Sequence, residues 1–355
     1  MSNLKINNIT NRGGDGGPVI AGVSTVATSA FMVMPSGDIE IRGAGSGRGV
    51  FGTGYNNAPN SSLNSMQYVA INSQSNTIDF GDLSNSSIAK ASFGSATRGF
   101  WAGGDSVPGQ QDNKAIEFTI ISSSGGGIDF GDMTAEKAYF SGMSNDIRGF
   151  FVGGATTPEY VKQSRIEFIT MASTGNGNTF GDLSMTSAAN APVANNTRGV
   201  IALGQAGPSN NSRQIQFITL STLGDAQDFG EITTLAKKGA AAVASSTRAC
   251  FMGGTGTTGN AGHVSNVIDF VTISTLGNAQ DFGDITVAVD ALAGASNSTR
   301  GLHAGGRTGS PAPEALQNVI GFITIASAGN ATDFGDLVAP TRYLSGCSDA
   351  HGGLQ

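Results

Sequence analysis

One five-residue phrase returns six times along the chain, and its spacing limits the folds open to it. Asp79-Phe80-Gly81-Asp82-Leu83 is followed by Asp129-Phe130-Gly131-Asp132-Met133 and Thr179-Phe180-Gly181-Asp182-Leu183. Asp228-Phe229-Gly230-Glu231-Ile232, Asp281-Phe282-Gly283-Asp284-Ile285 and Asp333-Phe334-Gly335-Asp336-Leu337 complete the set. The phenylalanines stand at 80, 130, 180, 229, 282 and 334, so the steps are 50, 50, 49, 53 and 52 residues. A steady period of this size marks a repeat architecture, in which each unit buries its apolar face only by stacking on its neighbours.

The interior of one unit says what is stacked. Ser246-Thr247-Arg248-Ala249-Cys250-Phe251-Met252-Gly253-Gly254 reads as a short apolar strand closed by a glycine pair. The pair recurs at 103–104, 153–154 and 305–306, and becomes Gly52-Thr53-Gly54 and Leu203-Gly204 in the first and fourth copies. After a polar loop, residues 267–273 alternate strictly, with an aromatic at Tyr68, Phe118, Phe168, Phe217, Phe270 or Phe322. Alternation of this kind is the mark of a half-buried strand. A Gly-Asn turn, the Phe-Gly phrase and a small-residue stretch such as 240–245 follow. Helix signals, a cap followed by a 3.6-residue apolar period, do not occur. Four short strands per unit of about 50 residues predict an all-β fold, a β-propeller. The small-residue strand is expected innermost, and the two aromatics between neighbouring blades.

The arginines Arg48, Arg98, Arg148, Arg198, Arg248 and Arg300 count six blades. Residues 341–350 match the small-residue strand of the other units, and the unit that opens at Arg48 lacks one. A C-terminal strand is therefore expected to complete the first blade and close the ring, leaving no open sheet edge. The expected organisation is an N-terminal arm over 1–47 and a six-bladed propeller over 48–355. The arm holds loop chemistry at 11–17 and short apolar runs at 19–23 and 31–34. It suits docking into a neighbour by strand addition, or plugging one face of the ring.

Composition narrows the function classes. Charged residues make up 13% of the chain and the net charge is -7. With Lys237-Lys238 the longest basic run, nucleic acid is not expected as a partner. No basic and apolar leader is read, so no signal peptide is expected. No apolar stretch has the roughly 18 residues of a membrane helix. Cys250 and Cys347 show no metal-binding spacing, and Cys250 reads as a buried free thiol.

The order Arg-Gly, apolar strand, Gly-Gly, aromatic strand and aromatic-x-Asp-Leu resembles the kelch-type propeller over residues 48–350. Phe130 and Phe282 stand where that pattern has Trp, and its Tyr is mostly Phe. The stretch 9–19, continuing to 31–37, resembles a segment of virion proteins of marine tailed bacteriophages, cyanophages among them, and the repeat is similar to repeats in such proteins. The resemblance implies a virion component of tail, baseplate, fibre or capsid surface, made in the host cytoplasm. Its partners would be other virion proteins in multiple copies, with a host surface glycan as a second class. A glycan-binding adhesin is the alternative reading. A carbohydrate-active enzyme is a third, for which no residue constellation is found.

Five copies of Asp-Phe-Gly and one of Thr-Phe-Gly, without the Lys strand or His-Arg-Asp loop of kinases, are not a nucleotide site. The acids Asp82, Asp132, Asp182, Glu231, Asp284 and Asp336 recur once per blade, which suits a structural role. Each would lock a turn by accepting backbone N–H groups or face the repeat arginine. The run Gly254-Thr255-Gly256-Thr257-Thr258-Gly259 has no helix behind it to cradle a phosphate. His263, His303 and His351 share no ligand spacing, and His303 takes the strand slot of Trp101, Phe151 and Phe251. No catalytic residue, metal or cofactor is expected. Trp101 reads as core. Contacts are expected from the loops after the glycine pair, with Tyr55 and Tyr160 as their aromatics.

Overall fold

The computed structural model describes residues 47–56, 61–107, 109–207, 212–233, 236–258, 261–309 and 313–349. The expected arm over residues 1–47 lies outside them, apart from Gly47. Among the described residues all regular elements are β-strands, and the sheets are arranged as a β-propeller. In the second repeat the strands Ala91–Gly94, Arg98–Ala102, Ala115–Ile120 and Ile128–Asp132 pair antiparallel in chain order. The first sheet takes its inner strand from the far end of the chain. Ser345–Ser348 pairs with Arg48–Asn56, setting Val50 opposite Cys347 and Phe51 opposite Gly346.

Four of the sheets are separate four-stranded units, where six were expected. The strands of the third and fourth repeats are joined in one nine-stranded sheet. The cause is local. The outer strand of the third repeat runs on from Asn178 to Ala188, and its last residues pair with the next repeat, Ser187 with Ala206 and Ala188 with Gln205.

Packing follows the pattern of the sequence. The phenylalanines of the recurring phrase are at most 4% exposed, and so are the aliphatic residues that end it. Each ring stands edge-on to the aromatic of its own repeat, as Phe270 does to Phe282 at 5.8 Å. The cores lie between repeats: Met66, Phe80 and Leu83 of the first pack with Trp101 and Ile121 of the second. Burial of apolar surface stabilises by about 25 cal/mol per Å², and these interlocked rings bury theirs almost completely.

Backbone contacts add register. The Gly125 N–H donates to the Phe80 carbonyl, and Gly175, Gly224, Gly277 and Gly329 repeat the bond on Phe130, Phe180, Phe229 and Phe282. A side chain at Gly131, where φ is 146°, would put Cβ 2.5 Å from the carbonyl oxygen of Gly175. That close approach is why the phrase carries glycine.

The repeat acids do not face the repeat arginines. Each guanidinium lies over the aromatic ring of its own repeat, Arg48 at 4.4 Å from the Tyr68 centroid and Arg248 at 4.8 Å from Phe270. Its Nη1 donates to a backbone carbonyl of the next repeat, as Arg48 does to Ile121 and Arg300 to Ile71. A planar, delocalised cation suits this stacked position better than a carboxylate pair would. The turn lock is reversed as well. The backbone N–H of Asp132, Glu231, Asp284 and Asp336 donates to Asn176, Asn278, Asn330 and Asn76, and that of Asp182 to Asp225. The acid side chains turn outward, where Asp132 meets Lys114 and Glu231 meets Arg213, both at 3.4 Å.

Candidate functional site

Six residues that precede the inner strands meet around the axis. They are Ala89, Tyr139, Ala189, Gly239, Ala291 and Tyr343, all with φ between 49° and 62°. Each donates its N–H to the carbonyl of the preceding one, and Ala89 donates to Tyr343, so the circuit closes. The six bonds span 2.7–3.1 Å. Left-handed backbone costs a non-glycine residue about 1–2 kcal/mol, and here the closed circuit offsets it. Below lies an axial cavity of about 80 Å³ lined by the small-residue strands, with Ser92, Ser141 and Ala241 among its walls. The expected innermost position of these strands holds.

Lys90 is the one titratable residue lining that channel. Burial holds its amine down to about 8, and nearby Glu117 opposes the shift. Two further lysines are buried against acids: Lys137 on Glu167 and Lys237 on Asp269, each at 2.9 Å. These acids also cap the turn after the recurring phrase, Glu167 accepting the Thr134 N–H and Asp269 the Thr233 N–H. Gln216 caps Ser184 in the same way with no charge. The sixth repeat has Gly321 at this position, and the space is filled by the buried ring of His303. Burial alone lowers that imidazole to about 4.

Above the hydrogen-bonded circuit, on the side of the loops after the glycine pairs, side chains of several repeats converge. Tyr139 packs edge-on against Tyr160 at 5.3 Å and against Tyr343 at 5.7 Å. The Arg342 guanidinium lies 4.9 Å from the Tyr55 centroid and 5.4 Å from that of Tyr343. Its Nη1 is 2.6 Å from Glu314. Arg307 bonds Asp290 at 2.9 Å and also reaches Glu314 at 3.2 Å. Of the chain's five tyrosines, all but Tyr68 belong to this cluster. A cleft of about 660 Å³ opens among Tyr55, Tyr139, Tyr343, Arg342, Asp105 and Gln110. Ligand clefts span about 300–1,000 Å³.

Asp105 is the unusual member. It is 2% exposed, and its Oδ1 has no hydrogen-bond partner. Burial, and then the charge of Asp112, raise its carboxyl to about 6. Asp112 is itself raised by burial, against which the Thr157 N–H and hydroxyl hold its charge. Burial raises the Tyr139, Tyr160 and Tyr343 hydroxyls, so they are donors throughout the neutral range.

Tyr55 and Tyr160 do belong to this end of the molecule, but as half-buried members of a cluster. Tyr160 donates its hydroxyl to Gln205 at 2.8 Å. Tyr139, Tyr343 and Arg342 join the cluster although they carry no loop signal in the sequence, because they stand just before the small-residue strands. The six acids and six arginines are spread around the ring and do not meet. Trp101 is fully buried, as expected of a core residue. Both cysteines are buried and free, and burial pushes the Cys250 thiol up to about 12. Among the described residues no group of three or more His, Cys, Asp or Glu is placed to hold a metal. No helix of the described residues is long and apolar enough to cross a membrane.

No family model matches this sequence, and no curated protein does. Solved structures do match. The structure of YjhT superposes with a TM-score of 0.56 at 9% identity, covering 72% of this chain and 86% of that one. At that identity the likeness concerns the fold, and it agrees with the propeller arrangement of the sheets.

Proposed function

We propose that the protein is a structural component of a tailed-phage virion, in which a rigid propeller serves as an interaction platform. On this reading the nine-stranded sheet is two blades joined at their rims, the ring has six kelch-like blades, and the C-terminal strand closes the first. The observation that supports a platform is the closed circuit of six backbone hydrogen bonds around the axis. It fixes the inner strands in one arrangement, so the loop-bearing end is presented as a preorganised surface, which lowers the entropic cost of recognition. The virion setting rests on the resemblance of residues 9–37. Those residues belong to the arm that docks on neighbouring virion proteins.

Mass spectrometry of washed particles tests the assignment. The protein should be present at a fixed stoichiometry. A chain lacking residues 1–47 should fold to the same melting profile yet fail to enter particles. Absence of the full chain from purified particles refutes the assignment, and normal incorporation of the shortened chain refutes the role of the arm.

A further inference from the structure

One of the two buried lysine–acid pairs is built differently from the other. Lys237 and Asp269 are 1% and 0% exposed, and the lysine Nζ stands 2.9 Å from Asp269 Oδ2. Yet Oδ2 has no hydrogen-bond partner, because the amine approaches it too obliquely. Nζ donates instead to the Val267 carbonyl, 2.7 Å away. Lys137, by contrast, meets its acid head-on and donates to Glu167 Oε1 at 2.9 Å. The second oxygen of Asp269, Oδ1, accepts from both the N–H and the hydroxyl of Thr233. Two donors on one carboxyl oxygen, an unpartnered second oxygen and an amine in contact with it are the parts of an acyl-transfer site.

We propose that Lys237 and Asp269 condense into an amide, so that the folded chain crosslinks itself at this point. Burial lowers the Lys237 amine, opposed by Asp269, and this favours the neutral, nucleophilic form. A proton passes from the ammonium to the carboxylate, leaving an amine and a carboxylic acid. The Nζ lone pair then forms a bond to Asp269 Cγ, and the charge that develops on Oδ1 is held by the two Thr233 donors. As the carbonyl re-forms, the Cγ–Oδ2 bond breaks, and Oδ2 leaves as water with its own proton and one from Nζ. One proton stays on the amide nitrogen, and no oxidant, reductant or co-reactant enters. Groups held in contact by a fold react as if at effective concentrations of about 10⁵–10⁸ M. In water, hydration of both charges opposes condensation; here neither group is hydrated, and the amide replaces a buried ion pair by a neutral link. The bond ties the segment leading into the inner strand Ala241–Ala244 to Val267–Thr272, the third strand of the same sheet.

Intact-mass spectrometry of the full chain, denatured after folding and storage at neutral pH, tests the crosslink. The mass should fall short of that of the sequence by one water. Tandem spectra of a proteolytic digest should show a branched peptide joining Lys237 to Asp269. Lys237→Arg should restore the full mass, which separates the crosslink from dehydration of an aspartate to a succinimide. Thr233→Val keeps the N–H and removes the hydroxyl, and it should slow the loss of water by at least about tenfold. Lys137 and Glu167 should remain unlinked. A mass equal to that of the sequence overturns the proposal, as does a water still lost in Lys237→Arg. A branched peptide joining Lys137 to Glu167 overturns the argument from the direction of approach.

Discussion

Replacing Glu167 by glutamine isolates the role of the buried ion pairs, because the protein already contains the matched control. Lys137 and Glu167 are 3% and 2% exposed and 2.9 Å apart. Glutamine keeps the acceptor that caps the Thr134 N–H and removes only the charge. Lys137 is then left as an uncompensated buried cation, and truncating one partner of such a pair costs about 3–5 kcal/mol. One repeat further on, Ser187 of the third repeat stands in place of Lys137 and Gln216 of the fourth in place of Glu167. The double variant Lys137→Ser/Glu167→Gln therefore copies an arrangement the fold already accommodates, and it should recover more than half of the loss. Urea unfolding of the single and double variants at pH 7 measures both numbers. Burial lowers the Lys137 amine below its unfolded value, and Glu167 holds it up. A folded pKa below the unfolded one means that the unfolded chain binds more protons between the two values, so stability rises with pH there. In Glu167→Gln that rise should start at lower pH and be larger. A cost under about 1 kcal/mol, or a double variant no better than the single, refutes the reasoning.

Two further outcomes are expected. Thr53 is 3% exposed, holds φ at 60° where other repeats have glycine, and leaves its hydroxyl unpaired; Thr53→Gly should raise stability by up to about 1 kcal/mol in thermal unfolding, and a lower melting temperature contradicts the strain. His303 is lowered to about 4, so the unfolded chain takes up a proton between about 6.5 and 4 that the folded chain does not, and stability falls by up to about 3 kcal/mol as pH drops through that window. His303→Phe, the residue of the third and fifth repeats, should flatten this part of the pH–stability curve, and an unchanged slope assigns it to other groups.

The repeat made most of the fold legible. Phe80 and its five counterparts could be placed between repeats from spacing alone, because an apolar residue recurring at a fixed phase has few places to go. The pairing of residues 345–348 with the first apolar strand followed from a missing element at one end and a surplus one at the other. What stayed hidden depends on exceptions to the period. The junction at Ser187 and Ala188 arises from a strand that runs on by a few residues, and propensity does not mark that. The arginines and acids looked complementary in charge. Their separation follows from register: on the strand they share, Arg248 pairs with Thr272 at one end and Asp284 with Val267 at the other. The cleft was hardest to see. Its key residues, Asp105, Tyr139, Arg342 and Tyr343, come from three widely separated parts of the chain. None is a repeat signature, and only the closed ring brings them together.

The split first sheet has a mechanical consequence. Tension applied to the chain ahead of Arg48 enters a strand paired on both sides, with Ser345–Ser348 along one edge and Ser61–Ala70 along the other. Such a strand must shear two ladders at once before it yields. Tension at the other end reaches Ser345–Ser348, a four-residue strand with one ladder, which can be peeled bond by bond. A propeller tethered through its N-terminal side is therefore held by its more force-resistant end.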